Sequence, residues 1–402
     1  MNIYPLQGNP HADQDRRFKR HIDARLKEHF LKRKEILILL GSRQTGKTTL
    51  VRRIFPNAQY LLVDNEPVRR MLESYDIQVY RGALLPGAPE LIIDEIHLLS
   101  NPGRAAKILY DQLPLKLILT GSSSFHIKNK TSESLAGRKI DYFLFPLTFS
   151  EYLVQTGVEE ELNYSLFDYI VNGATERPYK LFDKQQILSR VLRYGLYPQL
   201  VNQPMDEEYL RNFADSLVFK DVLELNLIEN KRVAADLLKM LAYQIGNLVS
   251  YAELATVLGA DQRTVKRYIE LFEQSFLLFR LYPFTGSGRN EISKAPKVYF
   301  YDTGLRNALI GDFSEITLRP DRGALFENFI IAECVKANLY TQSGYNLRYW
   351  RSKQKAEVDL VLVKDDRLIG VEVKYGKGTV SPAFTRRFPE AHIRVVTAEN
   401  FY

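Results

Sequence analysis

The chain has 402 residues, of which 45% are hydrophobic and 26% are charged, with a formal net charge of +7 at pH 7. This composition is that of a globular protein with several domains and excludes a fibrous or disordered chain. The single cysteine, Cys334, excludes an internal disulfide and suits a reducing compartment. No apolar run is long enough for a signal peptide or a membrane span, so we expect a cytoplasmic protein without a membrane partner. The positive charge favours anionic partners such as nucleotides, nucleic acids or acidic protein surfaces.

Apolar and amphipathic segments alternate over residues 1–150. A helix is expected within residues 13–34, and five short apolar runs predict strands at 36–40, 60–63, 91–93, 115–119 and 142–145. Strands that are apolar on both faces and alternate with helices are typical of a parallel sheet covered by helices. The predicted fold class of this part is therefore α/β.

The rest of the chain predicts three further units. Residues 151–230 show helical periodicity and are expected to form a helical lid or linker. Residues 231–305 show a helix, a helix capped by Ser250 that ends at Gly259, a helix over 262–274 and an apolar hairpin-like pair, which is the order of a winged helix. Residues 306–402 predict a second α/β unit with strands at 347–351, 357–363, 368–374 and 392–397.

Residues 41–48, Gly-Ser-Arg-Gln-Thr-Gly-Lys-Thr, match the phosphate loop G-x-x-x-x-G-K-[ST] and lie between the first predicted strand and a helix. The backbone N–H groups and the helix N-terminus face phosphates in such a loop, Lys47 adds a positive charge, and Thr48 offers a hydroxyl to Mg²⁺. We therefore predict ATP and Mg²⁺ as cofactors. The predicted binding residues are Gly41, Ser42, Arg43, Gln44, Thr45, Gly46, Lys47, Thr48 and Thr49.

An acidic pair, Asp94 and Glu95, follows the third apolar run. Charges at the mouth of a buried strand are costly unless a cation or a reaction uses them. Asp94 is predicted to hold Mg²⁺, and Glu95 is predicted to orient and deprotonate the attacking water. Without the phosphate loop, the same pair would be interpreted as a solvated turn or a helix start.

Basic residues follow the turn of the predicted helix-turn-helix. Arg263, Lys266 and Arg267 are expected to be exposed and suited to nucleic-acid phosphates, with Arg289 and Lys294 of the predicted wing nearby. The alternative is a winged helix used for packing, with an ordinary solvated basic face. The sequence leaves both interpretations open.

Three charged residues are predicted to converge in the C-terminal unit. Asp359 lies on one strand, and Glu372 and Lys374 share one face of the next strand. Two carboxylates that bind a metal ion beside a lysine suit metal-dependent phosphodiester cleavage. Glu327, on the preceding helix, is either a further metal ligand or a helix-surface acid.

Several further strings support a family resemblance over nearly the whole chain. They are Phe145-Pro-Leu-Thr-Phe-Ser-Glu151-Tyr, Tyr194-Gly-Leu-Tyr-Pro198, Tyr299-Phe-Tyr-Asp-Thr-Gly-Leu305, Phe326-Glu-Asn328 and Tyr349-Trp-Arg351. The chain resembles prokaryotic AAA-type ATPases of the AAA+ superfamily that carry a C-terminal domain of unknown function 4143, which is itself similar to PD-(D/E)XK nucleases. The resemblance implies ATP binding and hydrolysis and leaves open whether the nuclease-like domain cleaves or only binds.

The resemblance also implies roles for residues after the fourth strand. Ser122 or Ser123 is similar to the AAA+ sensor that contacts the γ-phosphate or the water, although a helix N-cap is the alternative. Arg138 resembles an arginine finger, which would act on a neighbouring subunit of a homo-oligomer; the alternative is a surface arginine. Arg190 and Arg193 are the candidates for a second sensor in the lid.

The leading hypothesis is an ATPase that acts on DNA or another nucleic acid through the winged helix and the nuclease-like unit. The first alternative is an ATP-dependent regulatory switch that binds a protein partner and has a non-cleaving nuclease-like domain. The second is a nucleotide-binding adaptor without turnover.

Overall fold

The computed structural model describes residues 19–85, 87, 89–122, 135–173, 183–201, 206–218, 227–286, 294–376 and 381–402. The chain divides into two compact units, Met1–Leu162 and Asn163–Tyr402. Ser123 and Arg289 lie outside the described residues. The finer boundaries inside the second unit stay predictions.

The N-terminal unit is built on a five-stranded parallel sheet. Its strands are β1 (Ile36–Leu40), β2 (Gln59–Leu62), β3 (Glu90–Asp94), β4 (Lys116–Gly121) and β5 (Lys139–Phe143). Its described helices are α1 (Asp23–Lys32), α2 (Lys47–Ile54), α3 (Glu66–Glu73), α4 (Ile77–Ala83), α5 (Pro102–Gln112) and α6 (Phe149–Gln155). The α/β prediction is confirmed, and each predicted strand lies within three residues of its observed bounds.

The order of the strands positions the site. The sheet runs β2-β3-β4-β1-β5, and every neighbouring pair is parallel. All five residues of β1 are buried, as are four of the five residues of β3, as expected for strands with helices on both faces. Because β4 lies between β1 and β3, the carboxyl ends of these three strands stand side by side.

A buried ion pair ties the segment before α1 to this core. Arg20 Nε lies 3.1 Å from Glu151 Oε2, and both side chains are buried. Arg20 also donates to the carbonyl oxygens of Thr45 (2.8 Å) and Phe145 (2.7 Å). Burial alone would raise the pKa of Glu151, but Arg20 and nearby N–H donors lower it below its usual range. The pair therefore connects the loop after β1, the end of β5 and the start of α6.

Replacing Arg20 by methionine removes the cation and leaves Glu151 buried. We expect Arg20→Met to lower the free energy of unfolding of the N-terminal unit by about 3–5 kcal/mol, because removal of one partner leaves a buried charge uncompensated. Urea denaturation followed by hydrogen exchange of β1 measures this change. Lys32→Met, which breaks the exposed pair of Lys32 with Glu28, is the matched control and should leave the midpoint nearly unchanged. Equal effects of the two variants would contradict a special role for the buried pair.

The C-terminal unit contains a two-stranded and a four-stranded sheet among helices. Its strands are β6 (Leu278–Leu281), β7 (Lys297–Phe300), β8 (Asn346–Arg351), β9 (Glu357–Lys364), β10 (Arg367–Lys374) and β11 (His392–Thr397). Its described helices are α7 (Ser165–Asn172), α8 (Lys184–Tyr194), α9 (Pro198–Val201), α10 (Glu207–Val218), α11 (Lys231–Tyr243), α12 (Tyr251–Leu258), α13 (Gln262–Gln274), α14 (Thr303–Ile310), α15 (Arg322–Thr341) and α16 (Ala383–Arg387). Among the helices that the structure describes, none has the length and apolar character needed to cross a membrane.

Helices α11 to α13 and the antiparallel pair β6–β7 follow the predicted order. Ser250 caps α12 by accepting a hydrogen bond from the Glu253 N–H, and Gly259 ends this helix in the left-handed conformation. Asp261 caps α13 by accepting from the N–H groups of Arg263 and Thr264. The predicted helices at these positions are confirmed, while their identification as a winged helix stays a prediction.

The four-stranded sheet has the order β11-β10-β9-β8. Strands β8, β9 and β10 are antiparallel neighbours, and β11 is parallel to β10. Helix α15 packs against β10, and one side of the sheet carries an apolar cluster around Trp350, Phe384 and Val361. All four predicted strands are found within one residue of their expected bounds.

Candidate functional site

The phosphate loop joins β1 to α2 in the N-terminal unit. Its first glycine, Gly41, lies so close to the neighbouring chain that an added Cβ would stand 2.1 Å from the carbonyl oxygen of Leu144. Its second glycine, Gly46, has φ = 92° and forms the N-cap of α2. Both positions therefore require glycine, the first for space and the second for its backbone angle.

Lys47 is buried inside this loop. Its Nζ donates to the carbonyl oxygens of Gly41 and Ser42, each at 2.8 Å. A buried ammonium among the backbone N–H groups of a loop, at the N-terminus of a helix, attracts an anion. The local geometry is thus suited to an anion, and phosphate binding by these residues stays a prediction.

Asp94, at the end of β3, is buried among hydroxyl groups. Thr48 Oγ1 and Tyr60 OH each donate to Asp94 Oδ2 at 2.6 Å, and Thr120 Oγ1 donates to Asp94 Oδ1. The Thr48 contact joins the phosphate loop to the acidic strand across the intervening β4. Hydroxyl and carboxylate oxygens are ligands that suit Mg²⁺, so Thr48 and Asp94 fit this ion.

Glu95 adopts a backbone conformation that is uncommon for its residue type. Its φ is 58°, in the left-handed region, and its N–H donates to Thr120 Oγ1 at 3.2 Å. Its side chain is 23% exposed. Burial raises the pKa of Glu95, and the positive charge of Lys47 opposes this effect. Glu95 is therefore close enough to the phosphate loop for its carboxylate to interact with the charge of Lys47.

Ser122, the sensor candidate, is buried directly after β4. Its Oγ lies 3.2 Å from His97 Nε2, and His97 Nδ1 lies 3.2 Å from Glu95 Oε2. Because Leu40 pairs with Gly121 in the sheet, Ser122 follows beside the start of the phosphate loop. Its role as a sensor stays a prediction.

Arg138 lies at the amino ends of the strands, whereas the phosphate loop lies at their carboxyl ends. Its carbonyl oxygen accepts from the Ile36 N–H at the start of β1, whereas the loop follows the end of β1. Its Nε lies 3.0 Å from Asp111 Oδ1, and its side chain is 36% exposed. The five residues of β1 separate the two ends by roughly 15 Å, at about 3.3 Å per residue. Any contact of Arg138 with a nucleotide would therefore be in trans. The arginine-finger role stays a prediction.

Four contributors to this site were missed at the sequence level: Arg20, Tyr60, His97 and Thr120. Thr120 and His97 carried a usable signal, since each is a polar residue beside the carboxyl end of an apolar strand. Arg20 and Tyr60 reach the site through side-chain contacts that link distant parts of the chain, and their positions in the sequence gave no signal.

In the C-terminal unit, the structure brings together Asp359, Glu372 and Lys374. Lys374 Nζ lies 2.9 Å from Glu372 Oε2 and 3.8 Å from Asp359 Oδ2, and Asp359 Oδ2 also accepts from the Val373 N–H at 2.8 Å. Burial raises the pKa of Glu372, whereas the hydrogen bond to Glu372 raises the pKa of Lys374 against the effect of burial. The predicted convergence of these charges is observed.

A second lysine, Lys297 of β7, lies beside these residues and was not predicted. Its side chain is 2% exposed; its Nζ contacts Glu357 Oε1 and lies 3.5 Å from Glu327 Oε1. Tyr299 OH donates to the same Glu327 oxygen at 2.7 Å. Burial alone would lower the pKa of Lys297, but the two glutamates outweigh it and raise the pKa. Burial, together with the Asp359 charge, raises the pKa of Glu327 to about 7.

The carboxylates of this cluster are already engaged by protein donors. Within the described ranges, no group of three or more His, Cys, Asp or Glu side chains is arranged to hold a metal ion. Glu327, Asp359 and Glu372 therefore do not form a three-carboxylate site in this structure. Metal binding by any of the three stays a prediction.

The predicted basic residues lie on one face of α13. Arg263, Lys266 and Arg267 are exposed, and their spacing of three and four places them side by side. Arg267 Nη2 lies 3.0 Å from Glu229 Oε1, so part of its charge is compensated within the chain. Lys294 is also exposed. Their contact with nucleic acid stays a prediction.

Replacing Lys297 by methionine removes the cation between Glu327 and Glu357. We expect Lys297→Met to destabilise the C-terminal unit by about 3 kcal/mol or more, because the glutamates lose their shared partner. Adding Glu327→Gln should restore part of the loss. Trp350, the single tryptophan, lies in the core of this unit, so its fluorescence during urea denaturation measures the effect. The control is Lys294→Met, at an exposed position. If Lys297→Met left the urea midpoint as unchanged as this control does, the assigned role would be contradicted.

Fold and site together define a P-loop nucleotide-binding protein. Comparison with protein families supports this class: residues 33–153 match the AAA domain, residues 185–315 match a domain of unknown function (DUF8612), and residues 322–400 match a domain of unknown function (DUF4143). The N-terminal unit is thus similar to AAA-type P-loop ATPases, and the C-terminal residues match the DUF4143 domain.

Relatives that match most of this chain occur in bacteria and archaea. The chain is 28% identical to the uncharacterized protein Rv2008c of Mycobacterium tuberculosis, covering 93% of this chain and 77% of the relative. It is 27% identical to the uncharacterized protein MJ1637 of Methanocaldococcus jannaschii, covering 86% and 76%.

Among solved structures, the chain is similar to the Walker-type ATPase PABY2304 of Pyrococcus abyssi, with 16% identity, coverage of 76% of this chain and 99% of that one, and a TM-score of 0.48. It is also similar to AMPPCP-bound DnaA of Aquifex aeolicus, with 15% identity, coverage of 62% and 85%, and a TM-score of 0.26.

Proposed function

We propose that the N-terminal unit hydrolyses ATP to ADP and phosphate at the junction of β1, β3 and β4. The observation that carries the proposal is the 2.6 Å contact between Thr48 Oγ1 and Asp94 Oδ2, which joins the phosphate loop to the acidic strand. The AAA-domain match over residues 33–153 supports the same activity.

Each residue of the site has a role in this proposal. The loop from Gly41 to Thr49 and the Lys47 ammonium bind the phosphates, and Thr48 and Asp94 hold Mg²⁺. The ion, when bound, neutralises phosphate charge. Glu95 orients the attacking water and accepts its proton, since its carboxylate lies beside the loop at the end of β3. Its raised pKa brings its basicity closer to that of a group that works near neutral pH.

Substitutions at Lys47 and Glu95 separate nucleotide binding from turnover. Lys47→Ala should abolish both ATP binding and phosphate release, because it removes the buried cation of the loop. Glu95→Gln should keep ATP binding within a few-fold and lower the rate of phosphate release by about 100-fold or more, since general-base catalysis contributes 10²–10⁴-fold. Lys34→Ala, at an exposed position before β1, is the matched control. Turnover by Glu95→Gln at the wild-type rate would contradict its role as the base.

For the C-terminal unit, we propose contact with nucleic acid through the exposed face of α13 that carries Arg263, Lys266 and Arg267. The supporting observation is that three basic side chains at helical spacing present positive charge on one surface. DNA is the nucleic acid we propose, with Asp359, Glu372 and Lys374 as the nuclease-like residues of the same unit.

A second candidate function for this unit is binding without cleavage, within an ATP-dependent switch that recognises a protein partner. The observation that favours it is the pair of lysines, Lys297 and Lys374, which engage the carboxylates that a metal ion would need. Incubation of DNA with the protein and Mg²⁺ or Mn²⁺ separates the two candidates. Cleavage that Asp359→Ala or Lys374→Ala abolishes supports a nuclease, and intact DNA under all conditions supports the switch.

DNA binding by α13 has its own test. The double variant Arg263→Ala and Lys266→Ala should weaken binding to duplex or single-stranded DNA about tenfold and flatten its salt dependence, because each lost phosphate contact reduces the logarithmic salt slope by about 1. Gel shifts at several salt concentrations measure this. Lys239→Ala, an exposed lysine of α11, is the control. Wild-type protein that does not bind DNA at low salt would overturn the nucleic-acid proposal.

A further inference from the structure

A chain of three polar side chains runs across the carboxyl ends of β3 and β4. Glu95 Oε2 lies 3.2 Å from His97 Nδ1, and His97 Nε2 lies 3.2 Å from Ser122 Oγ. The His97 side chain is 9% exposed, and Ser122 is buried. The imidazole therefore has one nitrogen toward the proposed base and the other toward the serine at the end of β4.

The backbone explains how His97 comes to face Glu95 although the two are close in sequence. Glu95 adopts φ = 58°, and the chain then forms a short 3-10 helix, Ile96–Leu98, in which the Leu98 N–H donates to the Glu95 carbonyl oxygen at 3.0 Å. The Glu95 N–H is fixed by Thr120 Oγ1 on β4. A left-handed glutamate costs backbone energy and persists only where its surroundings hold it. Here the turn directs the His97 side chain back over the strand ends.

The third member of the chain connects this arrangement to the phosphate loop. Leu40 pairs with Gly121 across β1 and β4, so Ser122 stands beside the first residue of the loop. A displacement at Ser122 therefore reaches the Glu95 carboxylate through a single imidazole ring.

We propose that His97 is a positioning residue for ATP hydrolysis, which holds the carboxylate of Glu95 and couples its orientation to Ser122 beside the phosphate loop. The proposal rests on the function proposed above. His97 itself neither binds the nucleotide nor accepts the proton of the water. Its contribution is to restrict a side chain that is 23% exposed to one orientation.

Loss of His97 should therefore lower kcat and leave nucleotide binding intact. The proposed phosphate-binding groups, Lys47 and Thr48, lie at the start of α2, whereas His97 lies in the 3-10 helix after β3. Loss of an interaction that orients the base only during the reaction lowers kcat. It leaves KM unchanged, because binding of the ground state does not depend on it.

The test measures steady-state ATP hydrolysis by the full-length wild type and by His97→Ala, His97→Gln, Ser122→Ala and the His97→Ala/Ser122→Ala double variant. We expect His97→Ala to lower kcat about 10- to 100-fold with KM changed less than about twofold, since misplacement of a catalytic group by about 1 Å costs about 100-fold. His97→Gln, which retains a hydrogen-bonding side chain, should recover part of kcat. The kcat of the double variant should lie within about twofold of the kcat of the slower single variant, because both substitutions break the same chain of contacts.

Calorimetric titration with ATP checks that each variant still binds. A wild-type kcat in His97→Ala overturns the positioning role. So does a joint loss of ATP binding and kcat in both His97→Ala and His97→Gln. Additive losses in the double variant overturn the coupling to Ser122. Wild-type protein and Glu95→Gln run in parallel: phosphate release that depends on Glu95 but not on His97 refutes this inference alone, whereas wild-type protein without turnover refutes it together with the proposed function.

Discussion

The contact between Thr48 and Asp94 is the constraint on which the nucleotide site depends. Thr48 lies in α2, which follows β1 and the phosphate loop, and Asp94 ends β3. In the sheet β4 separates β1 from β3, yet Thr48 Oγ1 and Asp94 Oδ2 lie 2.6 Å apart. The strand order makes this approach possible because β4 stands between β1 and β3 and contributes Thr120 to the same carboxylate. A hydroxyl and a carboxylate at this distance, beside a buried lysine, create a site with the oxygen ligands and the positive charge that a nucleotide and its ion require.

The phosphate loop itself depends on the rest of the unit for its shape. Gly41 passes so close to Leu144 that no side chain fits, and Arg20 holds the Thr45 carbonyl oxygen while paired with Glu151. The string around Glu151 that contributes to the family resemblance therefore has a physical role near the site: its glutamate supports the arginine that contacts the loop.

Much of the nucleotide site was predictable because its signals are local. A strand, a glycine-rich loop and a helix follow one another directly, and the acidic pair stands at the end of another apolar run, so residues 41–48, Asp94 and Glu95 could be selected without coordinates. Tyr60 and Arg20 could not, because they reach the site only after the sheet has assembled. Lys297 illustrates the same limit in the C-terminal unit: Asp359, Glu372 and Lys374 lie on adjacent strands, whereas Lys297 comes from β7, 62 residues before Asp359. Periodicity identifies which face of an element is apolar, but not which distant element supplies a charge to it.

The central claim is that a triphosphate binds between β1 and α2 with an ion at Thr48 and Asp94. Calorimetric titration of the intact protein with ATP, once with Mg²⁺ and once with EDTA, tests this claim most directly. The account predicts binding at a single site with a Kd of about micromolar order in Mg²⁺, corresponding to about 8 kcal/mol, and clearly weaker binding in EDTA. Folded protein that gives no binding heat with ATP under either condition, at several temperatures, would contradict it.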